Sequence, residues 1–227
     1  VIDSAAVRQR VERVRNRIAD AGGDTDKIGI VAVTKGFDYS AIEAAAGAGL
    51  TMVGENYAQE LRGKWDELDS VTKNAVDVHF IGRLQSNKVR QLAGVVDVWQ
   101  SVDRVRLVSQ IAQHAPGAAV FVQLDVSGTA SQGGCEPAGA SALVAAARSE
   151  GLEVAGCMAI GPQGSSAQIE TAFNEVARFA DRHQLGQRCM GMSADLEAAV
   201  RAGSTMVRIG TALFGNRPPR DAPTQGA

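Results

Sequence analysis

A lysine stands just past a short aliphatic run: Ile30-Val-Ala-Val33 leads to Thr34 and Lys35. An amine held against apolar side chains is penalised when charged. Its pKa falls, and it becomes a nucleophile able to condense with an aldehyde. The plainer reading is a strand-end lysine reaching solvent, and position alone leaves both open. Two late turns, Gly191-Met-Ser193 and Arg208-Ile-Gly210-Thr211, place small residues and a hydroxyl where a strand feeds a helix. Free backbone N–H groups and a helix dipole at such turns suit a phosphate. Ordinary N-capping by Ser193 and Thr211 would explain either turn taken separately. Arg208 lies inside an otherwise apolar run, Thr205-Met-Val-Arg-Ile209. A buried charge is costly unless paired or used. Arg208 therefore donates to a ring nitrogen or carboxylate of a ligand, or it pairs with an acid such as Asp125 or Glu55.

The elements that carry these residues repeat. Ile28 to Val33 reads as a strand, and a helix over Ser40 to Ala48 follows. Thr51 to Val53 leads through Gly54-Glu-Asn56 to a helix near 57–68. Val78 to Ile81 leads to a helix starting at Ser86, and Val95 to Gln100 to one near 104–114. Ala119 to Asp125 is followed by the glycine-rich loop Ser127–Gly134 and a helix near 137–150. Leu152 to Met158, Arg188 to Gly191 and Thr205 to Ile209 open the last three units. The strands are continuous apolar runs, as a parallel sheet covered on both faces requires. Eight strand–helix units of about 25 residues fill a (β/α)8 barrel at the short end of its size range. A doubly wound open sheet is disfavoured, because no G-x-G-x-x-G follows the first strand.

The fold class expected is therefore α/β, a single (β/α)8 TIM-type barrel with an extra N-terminal helix. That helix carries Val7, Val11, Val14 and Ile18 on one face, with Asp3 or Ser4 as its cap. Its five arginines, Arg8 to Arg17, read as a solvated face partly paired with Glu12 and Asp20, or else as an anion-binding patch. Residues 1–216 are assigned to the barrel and 217–227, with three of the six prolines, to a flexible C-terminal tail.

Composition narrows the partners. The 227 residues carry 23 Lys plus Arg against 25 Asp plus Glu, a net charge near −2. That balance argues against nucleic acid, which needs a basic surplus. There is no apolar run of the ~18 residues that would span a membrane. The opening VIDSAAVRQRVERV lacks the apolar centre of a secretory signal. Cys135, Cys157 and Cys189 are widely spaced and fit neither a disulfide framework nor a zinc site, which points to the cytoplasm.

A lysine amine, a phosphate cradle and a ring-nitrogen donor at the mouth of one barrel together describe a site for pyridoxal 5′-phosphate (PLP). At this point whole motifs matter. Ala-Val-Thr-Lys35, Gly54-Glu-Asn-Tyr-Ala-Gln-Glu60, His79-Phe-Ile-Gly-Arg-Leu-Gln-Ser-Asn-Lys88 and Gly191-Met-Ser-Ala-Asp-Leu-Glu-Ala-Ala199 closely resemble the PLP homeostasis protein family. So does Gly203-Ser-Thr-Met-Val-Arg-Ile-Gly-Thr211. The resemblance runs from about Val7 to Gly215. It implies a barrel related to alanine racemase that holds PLP as a lysine aldimine. It also implies a role in intracellular PLP homeostasis and in delivery to PLP-requiring apo-enzymes, as a monomer.

Carried over by position, the resemblance makes Lys35 the Schiff-base lysine and Arg208 the partner of the pyridine nitrogen. Ser193, Gly210 and Thr211 become the phosphate cradle, and Asn56 a contact to the ring. His79 reads as a hydrogen-bonded structural residue, and Lys88 as a solvated helix lysine. The chain departs from the family pattern at Gly36-Phe37, where a lysine and a proline are common. It departs again at Gln132, where a cation is frequent, and at Cys157, where leucine is common.

Arginine keeps its proton, so a ring nitrogen facing Arg208 stays unprotonated and withdraws electrons weakly. Racemisation also needs an acid–base group on each face of the ligand. In racemases the second is a tyrosine from an additional domain, and this chain offers only Tyr39 and Tyr57. A carrier without established catalysis is thus expected. The alternatives are an amino-acid racemase and a lysine-imine aldolase that uses no PLP.

Overall fold

The computed structural model describes residues 2–129 and 132–217. Eight parallel strands close in sequence order, β1 through β8 and back to β1. They are β1 (Gly29–Val33), β2 (Met52–Glu55), β3 (Asp77–Phe80), β4 (Val98–Val102), β5 (Ala119–Leu124), β6 (Glu153–Ala159), β7 (Gln187–Cys189) and β8 (Met206–Ile209). Closure rests on β1 against β8, where Val31 is level with Arg208 and Ala32 with Ile209. The expected single (β/α)8 barrel with a leading helix is the fold observed.

Helices separate the strands: α1 (Ser4–Asp20), α2 (Ser40–Gly47), α3 (Ala58–Glu67), α4 (Ser70–Ala75), α5 (Val89–Leu92), α6 (Val105–His114), α7 (Pro137–Ser149), α8 (Ser166–Arg182), α9 (Leu196–Arg201) and α10 (Thr211–Phe214). A 3₁₀ turn, Ser86–Lys88, precedes α5. Helix α4 is not expected from the sequence; Asp69 caps it by accepting from Thr72 N at 2.7 Å, and it buries no residue. With no apolar face it leaves no periodic signal.

The alternation of strand side chains makes two cores. Ile30, Ala32, Val53, Val78, Phe80, Val207 and Ile209 pack outward against the helices. Val31, Phe121, Met158, Cys189 and Met206 fill the lumen as a separate cluster. This is the layered filling of a closed parallel barrel, so ligand space exists only at its ends. His79, third in β3, is buried, and its Nδ1 accepts from Gln100 Nε2 of β4 at 2.6 Å. Burial lowers its pKa to about 4, which keeps the imidazole neutral and structural.

Helix α1 buries Val7, Val11, Val14 and Ile18 and is capped by Asp3, which accepts from Ala5 N and Ala6 N. It packs on α2, α9 and α10. Its arginines pair differently from the expectation. Arg17 meets Glu197 of α9 at 2.7 Å and donates to Ser193 O at 2.9 Å, while Arg8 and Arg10 donate to Gly47 O and Leu213 O. Arg10 and Arg17 tie the leading helix to the last elements of the barrel, and Arg8 ties it to α2. Of the expected tail only Arg217 is described; residues 218–227 lie outside the described residues, as do Ala130 and Ser131 of the glycine-rich loop.

Candidate ligand-binding site

At the C-terminal end of the strands lies a cavity of about 290 Å³. Lys35, Asn56, Ser193, Arg208, Gly210 and Thr211 all line it, and Arg217 joins them. Val33, Ile81, Met158 and Ile160 form its apolar wall.

Lys35 sits in the tight turn after β1, closed by Phe37 N donating to Thr34 O at 3.2 Å. Burial is the main cause that lowers its pKa from the ordinary 10.5, and the positive charges of Arg217 and then Arg208 lower it further. The turn is held from below by a buried ionic cluster. Lys64 Nζ donates to Glu55 Oε1 (2.6 Å), Glu60 Oε1 (2.6 Å) and Thr34 O (2.9 Å). Glu55 Oε1 also accepts from Thr34 Oγ1, and Glu60 Oε1 from Gly36 N, both at 2.6 Å. Both backbone neighbours of Lys35 are therefore fixed. Phe37 meets Phe214 of α10 at a tilt, with ring centroids 5.5 Å apart, and joins this turn to the β8 side of the site.

Arg208 is 4% exposed. The acids considered for it from sequence are not its partners: Glu55 is engaged by Lys64 and Thr34, and Asp125 accepts from Ser127 and Gly128. Arg208 Nη1 donates to Cys189 O and Nη2 to Ala159 O, each at 2.7 Å, with Cys189 Sγ 3.2 Å from Nη1. Carbonyls at the ends of β6 and β7 thus orient the guanidinium without cancelling its charge. A guanidinium has five N–H donors, so some remain for the cavity that Arg208 lines.

Neither proposed hydroxyl acts as a helix cap. Asp195 and Gly210 are the N-cap residues of α9 and α10, and neither makes a side-chain capping bond. These helices have only 6 and 4 residues, so dipole effects are weak. What remains is two hydroxyl-bearing residues lining one cavity, Ser193 on the loop after β7 and Thr211 as the first residue of α10. Arg17 holds the Ser193 carbonyl, and Asp195 Oδ1 accepts from Met192 N at 2.6 Å, which shapes the first of those loops.

Asn56 follows β2, and its Oδ1 is buried with no hydrogen-bond partner. Gly82 seats it from behind: a side chain there would come within 2.2 Å of Asn56 O. Arg217 is the residue sequence reasoning missed. Gly215, at φ +81°, ends α10 and turns the chain, so that Arg217 packs on Gly36 beside Lys35. The cavity is lined by three cations, Lys35, Arg208 and Arg217, and among the described residues by no carboxylate.

These features define a barrel with a cationic, lysine-bearing pocket at the mouth where such folds bind ligands. The chain belongs to the alanine racemase N-terminal domain family, which matches residues 2–218, and within it to the PLP homeostasis proteins. It is 40% identical over 213 residues to the pyridoxal phosphate homeostasis protein of Pseudomonas aeruginosa, covering 90% of this chain and 91% of that one. The protein of the same name from Escherichia coli K12 is 35% identical over 226 residues, with 93% and 97% covered. Among solved structures, PipY of Synechococcus elongatus with PLP bound superposes with a TM-score of 0.76 at 29% identity, covering 89% of this chain and all of that one.

Proposed function

We propose that this barrel binds pyridoxal 5′-phosphate covalently through Lys35 and serves intracellular PLP homeostasis and supply, with no turnover of its own. The observation that carries the reading is the cavity itself, where a desolvated lysine amine shares one small space with two guanidinium groups and, among the described residues, no carboxylate. Such charge suits a dianion, and the similarity to a PLP-bound relative names one with an aldehyde. When bound, PLP supplies an aldehyde for an amine, a ring nitrogen that accepts a hydrogen bond, and a phosphate. Lys35 provides the amine, poised by its lowered pKa. Arg208 donates to the ring nitrogen and does not surrender its proton. Ser193, Gly210 and Thr211, joined by Arg217, face the phosphate. Asn56, whose Oδ1 lacks a partner inside the protein, contacts the ring.

The lining also favours a carrier over a racemase. Among the described residues of the cavity wall, Lys35 carries the one amine, and there is no carboxylate, imidazole, thiol or phenol to act as a second base. Tyr39 and Tyr57 are 38% and 43% exposed and do not line it. An exchange of stereochemistry through two faces has one base and lacks the second. We place the protein in the cytoplasm as a monomer, with apo-enzymes that need PLP as recipients.

The test is spectroscopic. Added PLP should give the wild type an absorbance band shifted from that of free PLP, which Lys35→Ala should not show. A band of equal intensity in Lys35→Ala would remove the basis of the reading. Racemisation of several amino acids by the loaded wild type would overturn the assignment as a carrier.

A further inference from the structure

A second, larger hollow of about 820 Å³ adjoins the first, and Asn56 lines both. It lies over the ends of β2, β3 and β4. Among the described residues its lining holds three cations, Arg83, Lys88 and Arg104, against the single carboxylate of Asp103. That carboxylate is committed. It pairs with Arg104 and lies 3.5 Å from Gly134 N. Arg104 is in turn oriented by Leu84 O, to which its Nη2 donates at 2.6 Å. The side chains of Arg83 and Lys88, among the described residues, take part in no hydrogen bond or ion pair. Two unspent cations beside an oriented guanidinium, in a chain whose net charge is −2, concentrate positive charge on one wall.

We propose that this hollow binds a small oxyanion, a phosphate or a carboxylate, beside the ligand of the Lys35 cavity, and that Asn56 couples the two. Arg83 directly follows Gly82, and Gly82 is the residue packed on the Asn56 backbone. An anion held by Arg83 and Lys88 draws on the β3 loop, whose Gly82 is packed against the Asn56 backbone. Asn56 lines the neighbouring cavity, and its buried Oδ1 has no partner within the protein. Occupancy of the hollow therefore changes how firmly the first ligand is held, and by linkage the effect is reciprocal. The anion site stands without the PLP reading; the coupling rests on it for the identity of the first ligand.

The experiment uses wild-type protein loaded with PLP and reduced with borohydride, so that the first cavity is filled and its phosphate cradle occupied. The mass gain on loading tests the PLP reading separately. Inorganic phosphate and, in a second arm, glutamate are then titrated by NMR. Saturable shifts at residues 83–88 with phosphate alone name a phosphate-bearing ligand, and with glutamate alone a carboxylate-bearing one; either supports the proposal. The Arg83→Glu/Lys88→Glu variant should weaken that binding about tenfold or more, since each exposed contact at ~4 Å changes from attraction to repulsion. On unreduced protein, where the anion also competes for the phosphate cradle, the saturating anion should change PLP affinity in the wild type by a different factor than in the double variant, whose change reports that competition alone. Absence of saturable binding by both anions, or equal binding by the double variant, overturns the site. An equal change in PLP affinity in the two proteins overturns the coupling.

Discussion

Lys64→Met removes the cation from a cluster in which Lys64 and Glu55 are 5% and 0% exposed. Exposed ion pairs are worth about 0–1 kcal/mol, whereas breaking a buried pair by deleting one partner costs about 3–5 kcal/mol, because the other charge is stranded. Glu55 falls in the second class. Its Oε2 already lacks a partner, burial holds its pKa above the usual carboxylate value, and Lys64 is the main influence opposing that rise. Glu60, at 25% exposure, can turn to water; Glu55 cannot. We expect Lys64→Met to lose about 3–5 kcal/mol at pH 8, a large share of the ~5–15 kcal/mol typical of a domain. The deficit should shrink toward pH 5. Without the cation the folded pKa of Glu55 rises further above its unfolded value, so the folded form binds more protons and is favoured as pH falls. Glu55→Gln/Lys64→Met should recover most of the loss. Urea unfolding followed by fluorescence of the buried Trp99 gives all three numbers. A single variant within about 1 kcal/mol of wild type at pH 8, or a double variant no better than the single, would refute the reasoning.

Arg217→Ala should raise the pKa of Lys35 toward 10.5, because Arg217 acts on it more strongly than Arg208 does; the pH midpoint of PLP attachment should move upward. Gly82→Ala places a methyl against the Asn56 backbone, where nothing flexible can yield. It should cost at least ~1–3 kcal/mol in urea unfolding and weaken PLP binding, while Gly94→Ala, with open space around it, should cost far less. His79 has a folded pKa of about 4 against 6.5 ordinarily, so the unfolded chain binds its proton first as pH falls. About 3 kcal/mol of stability present above pH 6.5 should be gone by pH 4, and His79→Gln should flatten that slope.

The barrel was legible because burial on both faces writes each strand as an uninterrupted apolar run, and because turns of small and polar residues separate the runs. That six residues would share one cavity was legible for a related reason. Most lie just beyond a strand's C-terminal end, where a barrel must open, while Arg208 sits in β8 as a charge in an apolar run. What escaped was contact between distant residues. The partners of Arg208 are backbone carbonyls, and no side-chain type announces them. Glu55 and Lys64 are nine residues apart on a strand and a helix, so neither period brings them together. Arg217 reaches Lys35 only because the chain reverses at Gly215, so a proline-rich end concealed a site residue.

One lysine, held by Glu55, Glu60 and Lys64 beneath its turn, is the proposed point of attachment for PLP, and everything else said of the site depends on it. Incubation with stoichiometric PLP, borohydride reduction and peptide mass mapping tests it directly. A single modified residue, Lys35, is predicted, with Lys64 and Lys88 unmodified. Modification spread over surface lysines, with Lys35 unlabelled, would contradict it.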